Sequence, residues 1–296
     1  AGNGSTHVPK DVLIESSIRL LDVSGALIEK NLVALAFSGQ IETDSLDGVP
    51  VVYQHFFYRA EQIVTFHIKR IMNGFMPPTA ANVDNLINAA EAGERIRLSG
   101  DQRKAIRAAL TNKITIITGG PGTGKTTIIN LIVKIFKQMG ISVALAAPTG
   151  RAAKRITETA GVEAMTIHRL LEYVYSEDDI QMEFGRNEDN PLEEDAFIVD
   201  EASMIDLMLM DGFLQALDND SRLIIVGDAD QLPSVGAGNI LHDMINSEYV
   251  PTIRLEEIFR QAGESHIVVN AHSINNGEYP EFNGKDSDFF FMHRSG

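Results

Sequence analysis

Apolar positions along this chain follow two different periods, and the change from one to the other divides it. From about Asp11 to Asn73, a helical spacing in SGALIEKNLVALAF gives way to GQIETDSLDGVPVVYQ, two short β-type runs around a turn. FFYRAEQIVTFHIKRIMNG, a second amphipathic helix, follows. Helix, hairpin and helix predict a small winged-helix-like module. The pattern loosens from Gly74 through MPPTAANVDN to Arg97 and predicts a linker. From Leu98 onward, β-type runs alternate with helical ones. Strands are predicted at Ile114–Thr118, Val143–Ala147, Phe197–Val199 and Leu223–Val226, each running into a polar or glycine-bearing loop. Such alternation predicts an α/β fold with a parallel sheet and ligands at the carboxyl ends of its strands. The division expected is 1–97 for module and linker, 98–247 for the α/β lobe and 248–296 for the start of a further lobe.

Composition narrows the function classes. With 296 residues, 44% of them hydrophobic, the chain can bury a substantial core. Its 25 Lys and Arg stand against 41 Asp and Glu, a net charge of −16, so a nucleic-acid partner would need a local basic face on an acidic body. Cysteine is absent, which excludes disulfides and thiolate metal sites. No apolar run approaches the roughly 20 residues that span a bilayer, and AGNGSTHVPKD lacks a signal-peptide core. The expectation is a cytoplasmic protein without a membrane partner. Between Ser176 and Asp195, nine acidic residues accompany one Arg, which reads as a solvated excursion.

The chemistry begins where ITIIT runs into GGPGTGKTT. Gly119 to Thr126 satisfies G-x-x-x-x-G-K-[ST] directly after a predicted strand and before a helical pattern, the context that spacing requires. Glycines let the backbone wrap a phosphate chain with its N–H groups turned inward, and the helix N-terminus adds partial positive charge. Gly120, Pro121, Gly122, Thr123, Gly124 and Thr127 would line that cradle. Lys125 would reach the β- and γ-phosphates of ATP, and Thr126 would offer its hydroxyl to magnesium. A dinucleotide site is excluded, because the next strand ends in LAAPTG with no acidic residue for a ribose.

Two further strand ends add to the cradle. AFIVDEAS carries Asp200 and Glu201 to the carboxyl end of a buried strand, where uncompensated charge would be costly. Magnesium is the natural partner of Asp200, and Glu201 then stands where it can orient or deprotonate an attacking water. In VGDADQLPSVGAGN, Asp228, Asp230 and Gln231 emerge beside the same crevice, and the neutral amide of Gln231 can sense a γ-phosphate. A plain Asp and Gly turn is the competing reading of that loop.

GGPGTGKTT, APTGRAA, TIHRLL, IVDEASM, VGDADQLPSVGAGN and LEEIFRQ, in this order, resemble the superfamily one DNA helicases, and their wording is similar to the RecD-like, exodeoxyribonuclease V alpha-type branch. The similarity is strong from Leu98 to about Pro280 and weak in the N-terminal module. It implies a RecA-like P-loop NTPase core, ATP and magnesium as cofactors, and 5′ to 3′ unwinding in repair or recombination. It also implies roles for single residues. Gln102 would read adenine and Arg260 would supply transition-state charge. Pro148, Thr149, Arg151, Thr166 and His168 would lie along single-stranded DNA. Arg151, Lys154 and Arg155 share nearly one helical face and would form the local basic patch. His168 stays open between a DNA contact and a buried histidine.

Helicases of this branch couple two RecA-like lobes, and the chain extends only 36 residues beyond Arg260. An incomplete second lobe is therefore expected, as are partner subunits of a helicase–nuclease complex. The alternative is a nucleotide-switched DNA-binding or assembly subunit of such a complex, without strand separation. A small-molecule kinase is disfavoured, because nothing resembles an acceptor pocket or lid.

Overall fold

The computed structural model describes residues 4–76, 82–174, 183–257, 265–282 and 288–290. Its centre is a parallel sheet built from β4 (Ile114–Gly119), β5 (Val143–Ala147), β6 (Ala164–Thr166), β9 (Ala196–Val199), β10 (Arg222–Gly227) and β11 (Thr252–Leu255), in the order β11-β4-β10-β9-β5-β6. β10 thus lies between β4 and β9, in register with Leu223 beside both Ile114 and Phe197. Side chains alternate across these strands with a period of two, yet both faces are apolar, as a doubly covered sheet requires. Ile114, Ile116, Phe197, Val199, Leu223 and Ile225 enter one core; Ile117, Ile198, Ile224 and Val226 enter the other.

Helices α4 (Val83–Glu94), α5 (Gly100–Thr111), α6 (Lys125–Gln138) and α7 (Gly150–Ala160) supply one face, where α6 buries Ile128, Ile129, Leu131, Ile132, Ile135 and Phe136. The short α8 (Ile167–Leu170), α9 (Leu207–Gln215) and α10 (Ile240–Asn246) supply the other. β7 (Tyr173–Val174) and β8 (Glu183–Phe184) form a small antiparallel pair after α8. Beyond β11 lies α11 (His266–Asn275).

The N-terminal part is winged-helix-like. β1 (His7–Pro9), β2 (Ile41–Leu46) and β3 (Val49–Gln54) form an antiparallel sheet in the order β1-β3-β2, with α1 (Lys10–Leu21), α2 (Gly25–Phe37) and α3 (His55–Met72) around it. The hairpin and both predicted helices are present, joined by a third strand and a separate first helix. α3 ties this part to the lobe, because Phe57, Ala60, Val64, Ile68 and Ile71 share one apolar cluster with Phe213 and Leu214 of α9. Arg70 donates to the carbonyls of Leu214 and Leu217, capping the end of α9.

The expected linker after Gly74 contains a helix instead. Asn82 caps α4 through the N–H of Asp84, Ile87 and Ala90 bury against the lobe, and Asp84 and Glu91 pair with Arg107 and Arg103 of α5. The acidic stretch is partly outside the described residues. Its end is structural, since Asp195 accepts from both the N–H and the hydroxyl of Ser142, which hold its carboxyl below the usual range. Among the described residues no helix is long and apolar enough to cross a membrane.

His67 lies on the buried face of α3 at the junction, and its burial predicts a pH-dependent stability. It is 2% exposed, its Nδ1 has no hydrogen-bond partner among the described residues, and its Nε2 lies 3.5 Å from Glu188. Burial first, then the charge of Arg70, hold its pKa below the ordinary 6.5, against the pull of Glu188. The unfolded chain therefore takes up this proton first on acidification. Stability from the neutral ring is complete above 6.5 and is lost as pH falls below it. The melting temperature is expected to drop as pH falls below 6.5, and less steeply in His67→Phe, which keeps an apolar ring but cannot titrate. An equal slope in thermal melts of both proteins would assign the acid sensitivity elsewhere.

Candidate functional site

The carboxyl ends of β4, β10 and β9, three neighbours in the sheet, open onto one cleft of about 710 Å³. After β4 the backbone turns through Gly122 and Gly124, at φ of 79° and 83°, left-handed conformations that favour glycine. The turn is braced from within and behind. Thr123 donates its hydroxyl to the Gly120 carbonyl at 2.9 Å, and a Cβ on Gly119 would lie 2.9 Å from Leu255 of β11. α6 then starts at Lys125 and directs its N-terminus into the loop. Gly120 to Thr127 all line the cleft.

Lys125 lies folded against the loop, its Nζ donating to the carbonyls of Gly119 and Gly120. Burial lowers its pKa, while Asp228, Asp200 and Glu201 pull it back up. Asp200 is pushed the other way: burial raises its pKa, and one oxygen accepts from the N–H of Glu201 at 2.9 Å. Asp200 and Thr126 line the same cleft, and a carboxylate and a hydroxyl are oxygen donors suited to magnesium. Among the described residues no cluster of three or more His, Cys, Asp or Glu forms a metal cage. That donor set fits an ion held by one carboxylate, a hydroxyl and the ligand's own phosphates.

Glu201 has φ of 55°, a left-handed backbone that is uncommon at a non-glycine residue. Its Oε1 lies 3.8 Å from Arg155 of α7. Asp228 is buried and organises the loop after β10. It accepts from the N–H of Asp230 at 3.1 Å and from the amide of Gln231 at 3.3 Å, and so holds Gln231 at the cleft wall. Thr118 adds a tie from β4, accepting from the N–H of Ala229 at 3.0 Å.

Gln102 lines the other end of the cleft beside Ile96, Arg97 and Leu98, but it is 2% exposed and its amide is engaged. It accepts from the N–H of Ser99 at 3.1 Å, completing a capping box at the start of α5, and donates to the Thr123 carbonyl at 3.2 Å. One N–H and one acceptor position remain for a ligand.

The expected DNA contacts gather at the sheet edge. Register pairs Ala147 with Thr166, so the loops after β5 and β6 emerge side by side and bring Pro148, Thr149, Arg151, Thr166 and His168 to neighbouring strand ends. Thr149 and Thr166 cap α7 and α8. His168 is half-buried and packs edge-on to Tyr173 at 5.7 Å. The predicted basic patch divides: Arg151 is exposed beside these loops, whereas Arg155 lines the phosphate cleft. Ile96 and Arg97 escaped the sequence reading, and Arg155 was assigned to the basic patch with Arg151 and Lys154 rather than to the phosphate cleft it lines. Arg260 lies outside the described residues.

The parallel sheet and its phosphate loop define a P-loop nucleotide-binding core, and a family model described as an AAA domain matches residues 102–237. Within that class the sequence is similar to RecD-like proteins. It is 35% identical over 234 residues to "ATP-dependent RecD2 DNA helicase" of Deinococcus radiodurans, covering 79% of this chain and 31% of the relative. It is 38% identical over 168 residues to "RecBCD enzyme subunit RecD" of Mycolicibacterium smegmatis, covering 49% of this chain and 30% of that one. The chain thus spans about a third of the length of these curated relatives. A solved Pif1 helicase from Candida albicans superposes with a TM-score of 0.46 at 24% identity, over 63% of this chain and 46% of that one.

Proposed function

We propose that this chain is the ATP-binding motor part of a cytoplasmic DNA helicase that moves 5′ to 3′ along single-stranded DNA and assembles with subunits of a helicase–nuclease complex. The observation that carries the reading is the convergence of three adjacent strand ends on one cleft, with Lys125 facing Asp200, Glu201 and Asp228. The β- and γ-phosphates lie along the loop from Gly120 to Thr127, with Lys125 as their cation, and the base lies toward Gln102. Thr126 and Asp200 would hold magnesium, which when bound would compensate charge at the phosphates. Glu201 takes the proton of the attacking water, Gln231 contacts the γ-phosphate, and Arg260 is assigned the transition-state cation. The division at residues 97 and 247 accompanies this reading, with the winged-helix-like module as the lobe's adaptor.

DNA binding by Arg151 and the helix starts of α7 and α8 predicts a salt-dependent interaction. Three phosphate contacts on a single strand correspond to a slope of roughly −2 in log affinity against log salt, or about a 15- to 20-fold loss between 50 and 200 mM. Arg151→Ala should make that slope shallower by about 0.7. Fluorescence anisotropy with an oligothymidine checks both. Affinity insensitive to salt overturns the assigned strand path, and nucleotide binding without any DNA binding favours the assembly-subunit alternative.

A further inference from the structure

The phosphate-loop spacing fixes glycine at 119 and 124 and leaves position 120 free, yet glycine stands there too. The cause lies outside the loop. A Cβ on Gly120 would lie 2.5 Å from Cε1 of the His272 ring, closer than real Cβ atoms come, and 3.1 Å from its Nε2, so the ring would have to move. Nε2 of His272 also lies 3.3 Å from the Pro121 carbonyl. A carbonyl only accepts, so Nε2 carries the hydrogen and donates.

His272 is held firmly. It sits in the last turn of α11, whose N-cap Ser265 accepts from the N–H of Val268. Asn270, 1% exposed, donates to the Glu281 carbonyl at 2.9 Å and accepts from its N–H at 2.7 Å. Ser265 and the N–H of His266 both donate to Asp288. Beside the ring a second cavity, about 390 Å³, has Asp228, Asp230 and Gln231 on one wall and Ala271 and Asn275 on the other. The imidazole therefore stands where the phosphate loop, the loop after β10 and the segment following β11 meet.

We propose that His272 is a positioning residue of the triphosphate site: it docks on Gly120, fixes the first half of the phosphate loop, and couples phosphate occupancy to α11. The proposal rests on the nucleotide-site reading above. A phosphate cradle works through backbone N–H groups set before the ligand arrives, and a loop free to wander must be ordered on binding, which weakens it. Gly120 is then glycine for the sake of His272, and the two positions are energetically coupled.

A double-mutant cycle on the full chain tests this, read as affinity for magnesium ATP by calorimetry and as the melting temperature without nucleotide. His272→Ala is expected to weaken binding about tenfold, the effect of one hydrogen bond with its packing, with the nucleotide-free melting temperature little changed. His272→Gln, whose amide N–H reaches a similar point, should recover most of the affinity. Gly120→Ala should weaken binding strongly in the native background and little once His272 is alanine. Equal losses in both backgrounds would mean that Gly120 serves the phosphates directly, and would overturn the proposal. So would a His272→Ala protein of unchanged affinity, or one whose only defect is a lower melting temperature. Lys125→Ala reports separately on the nucleotide-site reading, because among the described residues the hydrogen bonds of Lys125 go to the phosphate loop and none goes to α11.

Discussion

Lys125→Ala is expected to remove tight triphosphate binding and leave the fold nearly intact. The ammonium lies inside the cleft, bonded to two loop carbonyls, with Asp228, Asp200 and Glu201 as the anions that raise its pKa against burial. Its burial is unfavourable in the absence of a ligand, so it contributes little to folding. Without it, three carboxylates face the phosphates with no lysine to offset them. Truncating one partner of a buried, hydrogen-bonded charge pair costs about 2–5 kcal/mol, which corresponds to a loss of roughly 30- to several-thousand-fold in affinity. The nucleotide-free melting temperature should shift by no more than about 2–4 °C, the equivalent of about 1 kcal/mol for a protein of this size. Calorimetric titration with magnesium ATP and a thermal melt make the comparison. Unchanged affinity would remove the phosphate-loop assignment, and a collapsed melting temperature would make Lys125 a structural residue.

How much of this site can be read from residues alone depends on how local its causes are. The phosphate loop, Asp200 with Glu201, and the Asp228–Gln231 loop each follow a short apolar strand, so pattern and chemistry coincide within ten residues. Their convergence needs only the rule that ligands gather at the carboxyl ends of a parallel sheet. α4 was legible and was missed: Val83, Leu86, Ile87 and Ala90 follow the i, i+3, i+4, i+7 spacing of an amphipathic helix behind the Asn82 cap, and the proline-containing stretch before it drew the reading toward a linker. β6 and β11 are three and four residues long, too short to show a period, and exist by pairing with β5 and β4. The capping box at Ser99 and Gln102 was legible as S-x-x-Q, but the adenine role implied by the resemblance took its place. Arg155 and His272 could not be found locally. Each acquires its place from an element packed across the strand ends, and no spacing in the sequence records that.

Glu201→Gln is expected to leave nucleotide binding intact and slow turnover by roughly 10²- to 10⁴-fold, the range a positioned general base contributes. The substitution keeps the shape and hydrogen-bonding reach of the side chain while removing its charge and its ability to take a proton. It also keeps the backbone as it is, since Gln meets the same left-handed strain at φ of 55° that Glu does. Binding should hold or tighten, because one negative charge fewer faces the triphosphate, and Arg155, 3.8 Å away, is released toward the phosphates. The separation of the two effects is what identifies a base. A residue that only shaped the cleft would lose affinity and rate together, whereas loss of a group acting only in the transition state lowers the rate alone. Single-turnover hydrolysis at saturating magnesium ATP, with affinity measured in parallel, resolves the two. Native turnover in Glu201→Gln would transfer the proton to another group, and Asp228, the next carboxylate facing Lys125, would be the residue to replace.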